Sequence, residues 1–430
     1  MRLLFLTPQL PYPPHQGTIL RNFNIIKQLA ARHEIHLLSF GTPEELNDSP
    51  LREFCTRIEI AADASARTTR KRGSMRADAS PPPTRSTLQR ALETFFHPLP
   101  DMARRLHSPE LAAKLAARLR ENEYAVVQIE GIEMASAWLE FNVPSPVTRH
   151  PSLVFDDHNA EWALQKTAHD TDARNPRRWH GALYSWIQYN KLKRFERQIC
   201  LAANAVVAVS PQDAEAIASL DPRIKPVVIP NGVDCEYYVP SDEVCAKPLA
   251  EFSIVFTGKM DFRPNIDACV WFADEILPRL RKELPLAHVS FVGQKPSAKV
   301  LALKERVGVA VTGLVPDTRP YIADAAVFAV PLRMGSGTRL KVLEAMAMGK
   351  AIVSTSFGVS GIACENGRDV LIADDAPSFA RALAMLMRDK ARARVLGMNA
   401  RQVAEEKYEW KKLVPKFEEI YAQLRARARG

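Results

Sequence analysis

Short continuous apolar runs alternate along the whole chain with longer stretches in which apolar positions recur at helical spacing. Such runs predict buried strands, and their alternation with amphipathic helices predicts βα units and parallel sheets rather than hairpins. The first half places strands at "RLLFLT" (2–7), "EIHLLSF" (34–40), "YAVVQIE" (124–130), "SLVFDD" (152–157), "NAVVAVS" (204–210) and "KPVVIP" (225–230). The pattern then restarts at "SIVFTG" (253–258), "HVSFVG" (288–293), "VAVTG" (309–313), "AAVFAVPL" (325–332), "KAIVST" (350–355) and "DVLIAD" (369–374). The restart predicts two α/β domains, over 1–240 and 250–405, joined by a polar linker that follows the "IPNGVD" turn. A last helix over 406–430, interrupted by Pro415, is expected to pack back on the first domain.

Local chemistry supports this reading at the joints. In "SPQDAEAI", Ser210 suits an N-cap, Pro211 the first helical position and Asp213 the positive helix start. Residues 61–86 break the rhythm: they lack apolar periodicity, carry Arg67, Arg70, Lys71, Arg72 and Arg76, end in three prolines, and read as a mobile basic loop. The helices after it, "LQRALETFF" and "PELAAKLAARLRE", are basic and amphipathic, so the 61–120 region offers either a solvated face or a peripheral membrane contact.

Composition changes the picture in three places. A chain of 430 residues exceeds the roughly 150 of one domain, which agrees with the restart. The net charge of +9 asks for an anionic partner, and no zinc-knuckle or basic-helix pattern makes that partner a nucleic acid. Pro8 and Pro11 cut the first apolar run short of a signal-peptide core, and the six cysteines form no CxxC pair, so a cytoplasmic protein with free thiols is expected.

The chemistry concentrates in "GSGTRLKVLEAMAMG", residues 335–349. A glycine loop opening a helix after a parallel strand offers free N–H groups and a helix dipole to a phosphate, with Arg339 and Lys341 adding charge, although a plain tight turn would show the same glycines. Glu344 is the one acid within "VLEAMAM", a helix apolar on every side. Buried there, it needs a partner: a vicinal diol whose two hydroxyls it accepts, or Lys341 one turn back. It lies ~10 Å along the axis from Gly337 at ~1.5 Å per residue, a reasonable span from a diphosphate to an attached sugar ring.

The restarted halves, the "IPNGVD" joint and the block "GSGTRLKVLEAMAMGKAIVST" together resemble the retaining GT-B glycosyltransferases of family 4, the glycosyl transferases group 1. The resemblance covers most of the chain, least so residues 61–120. It implies two Rossmann-like domains facing a central cleft, with a nucleotide diphospho-sugar held mainly by the second. Carried over, Glu344 takes the ribose hydroxyls, while the backbone around Gly337 and Thr338 meets the diphosphate. Family members commonly place a second Glu eight positions before this one; here that position is Ser336, which leaves the transferred sugar open. The family also neutralises the leaving diphosphate with an Arg and a Lys after the first donor-domain strand; in "FTGKMDFRPNID" Lys259 holds the first place and Arg263 lies near the second.

In the first half, "FDDHNAEW" ends a strand with a polar cluster in which His158 matches a family histidine near the donor sugar and diphosphate. In "TPQLPYPPHQGTILRNF", Gly17 before a helix and Arg21 one turn on suit an acceptor-side or phosphate-binding loop, though the prolines equally shape an ordinary one. The only Asp-x-Asp triplet, Asp170-Thr171-Asp172, follows no strand, and no metal or other cofactor is expected. The resulting expectation is a metal-independent, retaining hexosyl transfer from a nucleotide diphospho-sugar to a saccharide or lipid-linked acceptor in polysaccharide biosynthesis. A nucleotide-sugar epimerase of the same fold and a non-catalytic nucleotide-sugar-binding protein are the alternatives.

Overall fold

The computed structural model describes residues 1–14, 17–62, 94–141, 151–174, 176–240, 252–335 and 339–427. They form two compact units, Met1–Pro230 with Val414–Gly430, and Asn231–Leu413.

The first unit is built on a seven-stranded, all-parallel sheet. Its strands are β1 (Arg2–Thr7), β2 (Glu34–Phe40), β3 (Arg57–Ala61), β4 (Val126–Glu130), β5 (Ser152–Asp157), β6 (Ala205–Ala208) and β7 (Val227–Val228), in the order β3-β2-β1-β4-β5-β6-β7. Leu4, Leu6, Val127, Ile129 and Phe155 join one core cluster, while Leu3 and Phe5, of opposite parity on β1, are equally buried. Burial on both faces is why these strands read as unbroken apolar runs. The order reverses between β1 and β4, where an open α/β sheet presents its ligand crevice at the strands' carboxyl ends.

The second unit repeats the scheme with six parallel strands: β8 (Ser253–Thr257), β9 (His288–Val292), β10 (Val309–Gly313), β11 (Val327–Val330), β12 (Ile352–Ser354) and β13 (Leu371–Ile372). Their order is β10-β9-β8-β11-β12-β13, reversing between β8 and β11. Edge-on aromatic contacts run through the core, Phe256 to Phe291 at 6.4 Å, Phe291 to Phe272 at 6.1 Å and Phe272 to Phe379 at 6.2 Å.

Two expectations need correction. β3 was not anticipated: "RIEIA" alternates charge with apolar residues, the pattern of a half-exposed edge strand, and it takes Ala61 out of the predicted loop. The rest of that loop from 63 onward lies outside the described residues. The first domain ends at Pro230 rather than near 240, because residues 231–240 are tied to the second unit. There the Val233 amide donates to the Tyr408 carbonyl at 2.8 Å and the Cys235 amide to Glu409 Oε2 at 2.9 Å. Gly232 permits the approach, since a Cβ there would lie 2.7 Å from the Tyr408 carbonyl oxygen.

The last helix, Trp410–Arg427, continues through Pro415, and its residues from Val414 onward group with the first unit. Glu418 accepts from Arg32 Nε at 2.7 Å and pairs with His33 Nε2 at 2.8 Å, and the Tyr421 hydroxyl bonds the Gln128 side chain on β4. No helix among the described residues is long and apolar enough to cross a membrane.

Candidate functional site

In the second unit the chemistry gathers where β8 and β11 end. Gly258 follows β8, and a Cβ there would lie 2.7 Å from Lys341 Nζ and 2.8 Å from Asn265 Nδ2. Glycine therefore makes the space into which the ammonium of Lys341 fits. Gly293, after β9, is tighter still, since a Cβ would meet the Gly258 carbonyl oxygen at 1.7 Å. Lys341 Nζ donates to Asn265 Oδ1 at 2.9 Å and lies 4.1 Å from the centre of the Phe256 ring, while Asn265 Nδ2 fixes the Lys259 carbonyl at 2.9 Å. Burial lowers the Lys341 pKa to about 7, with the charge of Arg339 pulling the same way and Cys269 and Glu344 opposing it.

Helix Leu340–Ala347 buries Val342, Leu343, Ala345, Met346 and Ala347, and Gly349 (φ +62°) ends it in the left-handed conformation foreseen for a helix stop. Glu344 sits half-buried on this helix, and its Oε1 accepts the Tyr238 hydroxyl at 3.1 Å. Among the described residues no ion pair joins it to Lys341, which turns to Asn265 instead, so of the two partners foreseen for Glu344 the lysine is the one the geometry disfavours. Burial raises the Glu344 pKa, against the pull of the Tyr238 hydroxyl and the Lys341 charge. A carboxylate accepts about four hydrogen bonds, so most of its capacity is left for a ligand.

Beside Tyr238, the Tyr237 ring lies 3.8 Å beneath the Arg319 guanidinium, which is clamped by Asp317 at 2.7 Å and donates to the Tyr237 carbonyl at 3.1 Å. Tyr238, Tyr237, Asn265 and Arg319 are site residues the sequence did not reveal. The doublet "YY" just after the "IPNGVD" turn was the one available signal.

The remaining expected donor-side residues divide. Arg339 is buried at the N-cap of the helix, 4.9 Å from the Phe357 ring centre, with Nη2 donating to the Gly335 carbonyl at 3.4 Å. Lys259 is exposed just past β8, its Nζ 3.8 Å from Asp261 Oδ1, and Arg263 is exposed as the first residue of helix Arg263–Trp271. Ser336, Gly337 and Thr338 lie outside the described residues.

In the first unit, the carboxyl ends of β4 and β5 bring Glu130, Asp156 and His158 together with their ligand atoms within 4.8 Å of one another. His158 Nε2 bonds Glu130 Oε2 at 2.9 Å, and Gln128 Nε2 donates to Glu130 Oε1 at 2.6 Å. Burial acts to lower the His158 pKa, but the Glu130 bond and the charges of Asp156 and Glu130 outweigh it and raise the pKa overall. Burial and the Asp156 charge also raise that of Glu130. The imidazole thus holds its proton more readily than a free one, next to a polar, partly open position.

Arg21 corrects the sequence reading. Rather than facing an anion, it is 1% exposed and grips Asp156 through Nε at 2.8 Å and Nη2 at 2.9 Å, with Nη1 on the Pro230 carbonyl at 3.1 Å. Its guanidinium supplies to the buried acids the positive charge that a cation would bring to the same cluster. Gly17 is exposed as the first residue of helix Gly17–Ala30. Asp170 and Asp172 sit on helix Glu161–Ala173 and pair with Lys166 at 2.7 Å and Arg178 at 3.1 Å.

Comparison with known proteins places these two units in a family. The profile described as Glycosyltransferase Family 4 matches residues 21–237, half of the chain, and that described as Glycosyl transferases group 1 matches residues 251–389. Among curated relatives, the GDP-mannose-dependent alpha-(1-6)-phosphatidylinositol monomannoside mannosyltransferase of Mycolicibacterium smegmatis is 25% identical over 254 residues, 54% of this chain and 65% of that one. The curated relatives are matched over only 44%, 24% and 65% of their own lengths. Sucrose-phosphate synthase from Thermosynechococcus elongatus shares the fold at a TM-score of 0.69 and 17% identity, covering 99% of each chain. HepE of Anabaena, solved in complex with UDP and glucose, does so at 0.62 and 16% identity, covering 98% of this chain and 99% of that one. With the GT-B neighbours matched end to end and the family 4 profile spanning half of its length, the chain belongs to glycosyltransferase family 4.

Proposed function

We propose that this chain transfers a hexosyl unit from a nucleoside diphosphate sugar to an acceptor hydroxyl, with retention of anomeric configuration and without a metal ion. The observation that carries the reading is Glu344, held by Tyr238 on a helix that buries Val342, Leu343, Ala345 and Met346, with acceptor capacity that no other side chain among the described residues takes up. A ribose diol matches that capacity. The mannosyltransferase relative is by name GDP-mannose-dependent, and HepE binds UDP and glucose, which supports a nucleotide-sugar donor of this kind.

In this mechanism Glu344 fixes the donor by its ribose. Lys341 and Arg339, with the positive start of helix Leu340–Ala347, receive the diphosphate as the anomeric bond breaks. Lys259 and Arg263 stand just beyond β8 to add charge. Retention follows when the acceptor hydroxyl attacks from the face that the diphosphate leaves. His158, its proton secured by Glu130, offers a hydrogen-bonding group just past the carboxyl end of β5 in the first unit. The acceptor class that fits the family is a saccharide or lipid-linked sugar.

Thermal-shift measurements with UDP, GDP and ADP and their sugars test the donor site, since a ligand that binds only the folded chain raises its melting point. Raised melting with one nucleotide series is expected, followed by acceptor-dependent release of that nucleoside diphosphate in the presence of EDTA and an α-linked product from an α-configured donor. A melting point unmoved by every nucleotide would sink the reading. Sugar isomerised without an acceptor would replace transfer by epimerisation.

Lys341 adds a pH signature. In the free chain its pKa is about 7, below the ordinary lysine value of 10.5, so between those limits the unfolded chain binds more protons and this group's contribution to stability rises with pH. A bound diphosphate reverses the burial penalty by favouring the ammonium. Donor binding at pH 8 should therefore take up as much as about one proton, and affinity should weaken as pH climbs from about 7 toward 10. Calorimetric titration in buffers of different ionisation enthalpy reads the uptake directly; identical enthalpies in all buffers would show Lys341 to be charged already.

A further inference from the structure

Helix Trp179–Ala202 buries Leu192, Phe195 and Ile199 but turns large apolar side chains outward at its beginning. Trp179 is 65% exposed, Trp186 51% and Leu183 40%. At 3.6 residues per turn, positions 179, 183, 186, 190, 194 and 197 share one stripe, so the two tryptophans and the leucine are followed on the same face by Asn190, Arg194 and Arg197. The neighbouring helix, Glu161–Ala173, has no buried residue, and Lys193 Nζ lies 5.5 Å from the Trp162 ring. Lys191 holds the Thr94 carbonyl at 2.8 Å, which keeps the exposed Phe95 and Phe96 beside this helix.

A scattered exposed apolar residue is ordinary, whereas two tryptophans and a leucine on successive turns form a patch. Its chemistry is specific. Tryptophan favours the boundary between hydrocarbon and water, and a surface-lying helix combines such rings with flanking cations. Residues 161–202 carry eight Lys and Arg against four Asp and Glu. Of those acids, Asp170 and Asp172 are spent on Lys166 and Arg178, and Glu196 is fully buried. Arg174 and Arg194 remain exposed with no ion pair among the described residues.

Helix Pro109–Glu121, within the region the sequence marked for membrane contact, lacks these features. Its Leu111, Leu115 and Leu119 are buried, Lys114 pairs with Glu110 at 2.6 Å, and Arg118 pairs with Glu59 at 3.1 Å.

We propose that the Trp179–Leu183–Trp186 stripe docks the chain on the headgroup layer of an anionic lipid bilayer, the rings entering the boundary and Arg174 and Arg194 meeting lipid phosphates. The full chain is tested by co-sedimentation with phosphatidylcholine vesicles prepared with and without phosphatidylglycerol. Binding to the anionic vesicles alone is expected, falling about tenfold or more in the double variant Trp179→Ser/Trp186→Ser and weakening in Arg194→Glu and at high salt. Because these positions are exposed, both variants should melt with the parent. Failure to bind either vesicle, or equal binding by parent and double variant, overturns the proposal. So does a parent dimer on a sizing column that the double variant converts to monomer, which would make the stripe an interface between copies of this chain.

Discussion

Glu344→Ala is expected to lower kcat/KM for the donor by about 100-fold or more, because a charge-assisted hydrogen bond contributes roughly 1.5–3 kcal/mol and a diol engages the carboxylate twice. The melting point of the free protein should hold or rise. Burial raises the Glu344 pKa, so above the ordinary carboxylate range the unfolded chain releases the proton more easily, and ionising Glu344 costs stability as pH increases. Alanine removes that cost, at the expense of one Tyr238 hydrogen bond. Loss of activity without loss of fold separates a ligand-binding acid from a structural one. Steady-state kinetics with the donor series and a melting curve suffice, and unchanged turnover at unchanged donor KM would remove Glu344 from the site.

Glu344 was legible in the sequence because it contradicts its surroundings: an acid in an apolar helix has to be explained, and helical spacing alone places it one turn from Lys341. The strands were legible for the opposite reason, since residues such as Leu3 to Leu6 on β1 and Phe328 to Val330 on β11 agree with their neighbours and are buried on both faces. What escaped was set by contacts distant along the chain. Tyr238 reaches Glu344 across 106 residues, and Asn265 takes Lys341 across 76, contacts that no local pattern announces. Arg21 was misread because an arginine one turn into a helix after a glycine looks the same whether it faces an anion or turns inward. Asp156, 135 residues away, decides between the two.

Arg21→Met should therefore act on the fold. The guanidinium and the Asp156 carboxylate are 1% and 0% exposed, and removing one partner of such a pair leaves a buried charge uncompensated, which costs about 3–5 kcal/mol. For a unit of this size that is a fall of roughly 6–20 °C in melting temperature at about 2–4 °C per kcal/mol. The neighbourhood enlarges the effect, since Asp156 would then face Glu130 with His158 as the remaining positive partner of the cluster among the described residues. The double variant Arg21→Met/Asp156→Leu removes both charges and should recover much of the loss, because apolar replacement of a buried pair is often neutral or better. If Arg21 instead served a phosphate, Arg21→Met would melt near the parent and lose ligand affinity, and the second substitution would restore nothing. Melting curves of the parent, the single and the double variant thus separate an arginine that ties the carboxyl end of β5 to the Pro230 carbonyl from one that binds substrate.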